Sequence, residues 1–274
     1  MGFILNTSFQ PTSGFLNLNV STAPTFMSYL VVAGGGGAGA GSANGLQAGG
    51  GAGGLLTGSL SWASGITFVA TVGAGGPIGT SDGSTDQAGS NGGNSSLVYS
   101  GNTILAYGGG GGGTYNNAAK NGGSGGGQGY VGSFGLGTSN QGFNGGTKLS
   151  TSTGGGGGAG GLGGNAYYDP NQDYNLSGDG GIGLYNSFTG AVYACGGAGR
   201  GGDTDGALPS EYGNNGCGGS AVDVGLNGDG YVGVVMLSVP TSKYTGIVTG
   251  NPVVFPNGGN KIIIWEVTSG TYIS

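Results

Sequence analysis

Tyr29-Leu30-Val31-Val32-Ala33-Gly34-Gly35-Gly36-Gly37 decides the reading of this chain. A short apolar run of buried-strand type passes, with no polar spacer, into four consecutive glycines. The same junction recurs where Thr103-Ile104-Leu105-Ala106-Tyr107 runs into Gly108–Gly113. Working outward, further strand signals lie at 15–20 and 55–62, at 66–72 and 97–99, and at 231–237, 247–255, 261–267 and 271–273. Ala63-Ser64-Gly65 and Ser100-Gly101-Asn102 read as hairpin loops between their flanking strands. No segment carries a helical period, and glycine disfavours helix by about 1 kcal/mol per residue. The chain therefore reads as all-β.

Glycine supplies 76 of the 274 residues, with 8 prolines. Such a share normally marks low-complexity sequence. Collagen is excluded, because the glycine runs break any Gly-X-Y period. Charge-driven disorder is excluded as well, since charged residues are 6% and hydrophobic ones 35%. With no histidine, histidine-based catalysis and zinc ligation by histidine are ruled out. The five basic residues, Lys120, Lys148, Arg200, Lys243 and Lys261, are scattered singly and form no phosphate-binding stripe, so no nucleic-acid partner is expected. No apolar stretch is long enough to insert in a membrane. The N-terminus lacks the basic region of a secretory signal, and Asn6 does not fit a myristoylation motif. Synthesis in a cytoplasm follows as the expectation.

From about 108 to 228 glycine tracts alternate with short Asn-, Tyr-, Ser- and Thr-rich stretches. Such tracts are either flexible linkers or extended threefold helices of polyproline-II type packed side by side. In the packed form, outward-facing N–H and C=O groups pair between neighbours, and only glycine has no Cβ to obstruct the approach. The scarcity of charge, the direct exit of tracts from strands, and the small interrupting residues Ala38, Ala40, Ala52, Ala159 and Ala198 favour packing. Cys195 and Cys217, each followed by Gly-Gly, read either as two small buried thiols or as one bridge between adjacent tracts.

Several motifs fail on inspection. G-x-G-x-x-G is frequent by chance here and has no βαβ unit around it. Asp169-Pro170-Asn171-Gln172-Asp173 begins like a calcium loop, but Tyr174 replaces the required glycine and Gly180 the bidentate glutamate. No pair of acids is placed at a catalytic separation. No metal, cofactor or catalytic residue is assigned, and an enzyme is not expected. The aromatic residues between tracts are more informative. Set among Asn, Ser and Gly, they have the composition of a paratope. Tyr130, Phe134, Phe143, Tyr167, Tyr168, Tyr174 and Tyr212 are the candidate contact residues, on loops spanning 128–152, 165–177 and 203–215. The competing reading is that such aromatics cap the glycine tracts against water.

The order of motifs resembles a known family. Ser28 to Gly37, then Gly50-Gly51-Ala52-Gly53-Gly54-Leu55-Leu56-Thr57-Gly58, Phe68 to Gly76, Gly92-Gly93-Asn94-Ser95-Ser96 and Gly228 to Val235 resemble, in sequence, the glycine-rich domains of bacteriophage tail-fibre and adhesin proteins. The resemblance covers about 12 to 240. It implies packed polyglycine-II helices on a jelly-roll-like antiparallel β-scaffold, a mixture also found in similar domains of certain vertebrate receptor kinases. With the glycine tracts read above, the scaffold is expected at 1–107 and 229–240 and the helix bundle at about 108–228. The resemblance also implies a virion surface location, an oligomer or several copies per particle, and two kinds of partner: other virion proteins, and a host-cell surface protein or polysaccharide. The alternative within the same setting is a structural decoration or adaptor protein. Residues 241–274 depart from the family as a β-extension. Ile262-Ile263-Ile264 with Thr268-Ser269-Gly270 parallels Phe3-Ile4-Leu5 with Thr12-Ser13-Gly14. These end segments either dock on a neighbouring subunit or add a hairpin within the chain.

Overall fold

The computed structural model describes residues 25–41, 45–82, 84–221 and 228–274. The predicted strand at 15–20 and the N-terminal half of the end repeat lie outside them. The described residues form thirteen strands: β1 (Phe26–Val32), β2 (Leu55–Ser61), β3 (Thr67–Thr71), β4 (Ser95–Tyr99), β5 (Asn102–Ala106), β6 (Tyr167–Asp169), β7 (Tyr174–Leu176), β8 (Leu184–Asn186), β9 (Ala191–Tyr193), β10 (Val234–Pro240), β11 (Val253–Asn257), β12 (Asn260–Trp265) and β13 (Gly270–Ile273). The only helical element among the described residues is a single 3-10 turn, Thr241–Lys243. The protein is all-β.

Every pairing between these thirteen strands is antiparallel. One sheet runs β11-β12-β10-β1-β2 and a second runs β13-β3-β4-β5, with two separate hairpins, β6-β7 and β8-β9. The two large sheets face each other. Met27, Val31, Val235, Leu237, Ile263 and Trp265 of the first meet Phe68, Ala70, Leu97, Ala106 and Tyr272 of the second in one buried cluster. Alternate residues of the same strands, Leu30, Val32, Val234, Met236, Ile262 and Ile264, point the other way into a second cluster with Ala52, Ala159, Tyr193 and Ala194. Successive strand residues face opposite sides, so a sheet covered on both faces must be apolar at every position. That is why Val31-Val32 and Ile262-Ile263-Ile264 read as continuous runs.

Ser100 and Gly101 both take left-handed backbone, φ 44° and 77°, as the tight β4-β5 hairpin requires. Ala63-Ser64-Gly65 is not a hairpin loop. Strands β2 and β3 lie in different sheets, so this turn crosses between them. Both turns carry the same residue signature, but β2 pairs with β1 and β3 with β4 and β13, so the second pair of flanking strands never meets. Pro256, which has no N–H for a ladder, sits on β11, an edge strand where none is needed. The C-terminal strands pair within the chain: β12 lies between β10 and β11, and β13 borders β3.

The glycine tracts are buried and hydrogen-bonded to one another. From Gly34 to Ala40 the amides follow a repeat of three. Gly34, Gly37 and Ala40 donate to Gly93, Ser90 and Gln87; Gly35 and Ala38 donate to Tyr231 and Gly228; Gly36 and Gly39 donate to Gly51 and Ala48. These N···O distances are 2.8–3.0 Å. The carbonyls of the same tract accept from three further neighbours, through Gly109 and Gly112, Gly76 and Gly79, and Gly219. Each third residue thus faces the same neighbour, and the tract has six neighbours in all. The tracts at 34–41, 48–54, 73–79 and 87–94 belong to this array, which therefore extends well before 108.

Such bonding answers the linker reading with a measurable outcome. Amides in Gly108–Gly113 and Gly154–Gly158 are expected to exchange as slowly as those of β1 and β10. Exchange at random-coil rates, followed by mass spectrometry or NMR, would contradict the array.

Candidate functional site

The disulfide is the first site the structure defines. Cys195 and Cys217 are bonded, with Cα atoms 4.5 Å apart, and both are fully buried. Gly218 donates to the Cys195 carbonyl at 2.8 Å, so the bridge joins two tracts already in register. The closed loop spans a sequence separation of 22, for which chain-entropy arguments give about 3 kcal/mol. Replacing both cysteines by serine is expected to lower unfolding stability by about that amount, read as a drop in the guanidinium midpoint.

The seven predicted contact residues fall into separate local groups. Tyr130 stacks on Tyr115 with ring centroids 4.7 Å apart, and the Lys148 ammonium lies 4.4 Å from its centroid. Tyr167, Tyr168 and Tyr174 sit on the β6-β7 hairpin, where Tyr168 pairs with Asn175 and Tyr174 with Asp169. Tyr167 and Tyr168 are 51% and 47% exposed. The Tyr168 hydroxyl donates to Asp173 at 2.5 Å, and that hydrogen bond raises its pKa above the usual phenol value. Tyr168 therefore keeps its proton at neutral pH. The Tyr174 hydroxyl donates to Gln172. Within this turn the Asp169 Oδ1 accepts from the Asn171 amide at 2.8 Å, so the residues that began like a calcium loop hold the turn itself.

Phe143 is exposed beside a groove of about 440 Å³ that it shares with Leu184 and Asn140. Phe134 is half-buried and lines a different groove of about 290 Å³. Tyr212 turns inward: its ring meets Tyr231 edge-on at 5.5 Å, and its hydroxyl accepts from the Ser220 amide at 2.9 Å. It has the capping geometry of the competing reading.

A set of residues that sequence reasoning missed surrounds these aromatics. Outer tracts lack a neighbour on one side, which leaves their amides without a partner, and asparagine side chains fill the gap. The Asn94 Oδ1 accepts from Gly108 at 2.9 Å and the Asn91 Oδ1 from Gly111 at 3.1 Å. The Asn121 Oδ1 accepts from Leu136 at 2.7 Å, Asn144 from Gly137 at 2.8 Å, and Asn165 from Thr147 at 2.8 Å. The available signal was an Asn beside a Gly-Gly pair, as at 91–93, 92–94, 121–123, 144–146 and 163–165. It was not specific, because Asn257-Gly258-Gly259-Asn260 carries the same letters in the β11-β12 turn.

Among the described residues no three of His, Cys, Asp and Glu cluster as metal ligands would, and no helix is long and apolar enough to cross a membrane. The fold and its surface define an all-β, glycine-rich domain. The family model of the glycine-rich domain matches residues 11–240, and the chain belongs to that family. A search of curated proteins finds no match.

Proposed function

We propose that this protein is a phage virion surface protein of tail-fibre or adhesin type, which binds a host-cell surface receptor through the Tyr/Asn/Ser-rich loops between polyglycine-II helices. The three-residue stepping of hydrogen bonds and the six-neighbour packing support the polyglycine-II reading of the array. The scaffold is read as jelly-roll-like in its two facing antiparallel sheets. The observation that carries the function is the β6-β7 hairpin, whose two exposed tyrosines stand on a hydrogen-bonded platform. Rigid aromatics on a fixed base lose little entropy on contact. Binding would be by shape and aromatic contact, without bond chemistry.

Purified protein is expected to bind host cells and to compete with infection. Tyr167→Ala with Tyr168→Ala should weaken that binding at least tenfold, as loss of central aromatic anchors does. Protein that neither binds host cells nor blocks infection overturns the reading. The adaptor alternative would use free strand edges. Among the described residues, the edges left to it in the two large sheets are those of β2, β5 and β11, because β13 is bonded on its outer side by Ile247 and Thr249.

A further inference from the structure

We infer that the asparagine-capped outer face of the glycine array binds a neutral glycan, at grooves distinct from the tyrosine hairpin. Two grooves share one construction. The first, about 390 Å³, has Asn94 and Asn121 among its lining residues, with Tyr107 and Leu136. The second, about 290 Å³, has Asn144 and Asn165, with Phe134 and Leu162. Both volumes lie near the lower end of the roughly 300–1,000 Å³ of small-molecule sites.

The amide orientation in both grooves is fixed by the fold. Each of these four Oδ1 atoms accepts from a backbone N–H of the neighbouring tract, so the oxygen must face the array. A carboxamide has two further donors on Nδ2. No described residue accepts from the Nδ2 of Asn94, Asn121, Asn144 or Asn165, and these donors remain for a ligand. Next to them stand an aromatic side chain and an exposed leucine: Tyr107 is 44% exposed, Leu136 52% and Leu162 64%.

That pairing of fixed donors with apolar walls suits a sugar ring, which has a C–H face and a hydroxyl edge. An aromatic side chain covers the first and amide N–H groups bond the second. A charged ligand suits it poorly. No described Asp, Glu, Lys or Arg lines either groove, and the chain's net charge of −6 repels acidic polymers. Both grooves lie along one run of hydrogen-bonded tracts. Gly122 donates to the Leu136 carbonyl, Gly145 to Gly135, and Gly163 to Asn144. A polymer crossing the tracts would meet the same floor more than once, which raises its effective affinity.

The test uses the full chain on a printed panel of neutral hexose and N-acetylhexosamine oligosaccharides alongside sialylated and uronic-acid ones. Retention on neutral glycans is expected. Retention on acidic glycans alone, or on none, overturns the inference. Asn94→Asp with Asn121→Asp keeps each Oδ1 acceptor for its backbone amide and replaces the outward donor with a carboxylate oxygen. This variant is expected to keep the parent unfolding midpoint and to lose at least tenfold in glycan affinity. A folded variant that binds like the parent also overturns the inference. The readout needs no phage. Glycan binding without host-cell binding would leave this inference standing and remove the adhesin reading.

Discussion

Gly50→Ala is expected to leave no folded protein at 25 °C. Gly50 donates to Gly219 and accepts from Gly197, both at 2.9 Å, and its tract is enclosed by neighbours. A methyl built on it would sit well inside 3.0 Å of the Gly36 carbonyl oxygen, a distance real Cβ atoms do not show. Overpacking an ordinary core costs about 1–3 kcal/mol because side chains shift to make room. Here the obstructing atoms belong to backbone, and they can move only by breaking their own hydrogen bonds. Each buried polar group left unpaired adds about 1–3 kcal/mol. Moving the Gly36 and Gly37 carbonyls out of the way breaks the bonds they accept from Gly219 and Gly112, so the cost approaches the roughly 5–15 kcal/mol that holds a whole domain together.

Gly259→Ala is the matched control. Gly259 lies at the β11-β12 turn with open space where a Cβ would go, and a change within about 0.5 kcal/mol is expected. Soluble yield and the guanidinium midpoint of both variants read the difference. A Gly50→Ala protein with the parent midpoint would show that the array tolerates side chains and that its glycines have another cause.

This contrast also explains what could be read from the sequence. Strands were legible wherever their apolar residues were consecutive or alternating, as at Tyr29–Val32 and Lys261–Trp265, because burial on one or two faces leaves a direct mark on residue choice. The tracts were legible as close-packed, since no other residue fits where backbones touch. Which tract meets which was not legible. Gly36 meets Gly51, Gly110 and Gly219 across separations that no local signal encodes, and all four positions carry the same letter. That is also why the array could not be bounded from sequence, and why its N-terminal tracts were assigned to the scaffold. The short hairpins β6-β7 and β8-β9 were missed because three-residue strands such as Tyr167–Asp169 carry too few positions to show alternation. The asparagine caps were missed for a different reason. Their role depends on a tract lacking a neighbour, and an empty position next to a chain leaves no residue to read.

A chain ending at Pro240 is expected to fail to fold, although the family match itself stops there. Removal takes β12 from the edge of β10, where Val235 pairs with Trp265 and Leu237 with Ile263. It also takes β13 from β3, where Tyr272 pairs with Phe68. Ile263, Trp265 and Tyr272, each at most 1% exposed, leave the core between the sheets. Ile262 and Ile264 leave the cluster on the opposite face. Losing a buried side chain of this size costs roughly 2–5 kcal/mol, so five of them outweigh the stability of an ordinary domain. The remaining surface of β10 would be a long apolar edge of the kind that aggregates. The shortened chain should therefore appear in the insoluble fraction, and co-expression with a separate 241–274 segment should return part of it to solution. If the shortened chain instead stays soluble with the parent midpoint and the parent assembly state, the end strands add nothing to the fold of the domain, and their pairing within the chain contributes no stability.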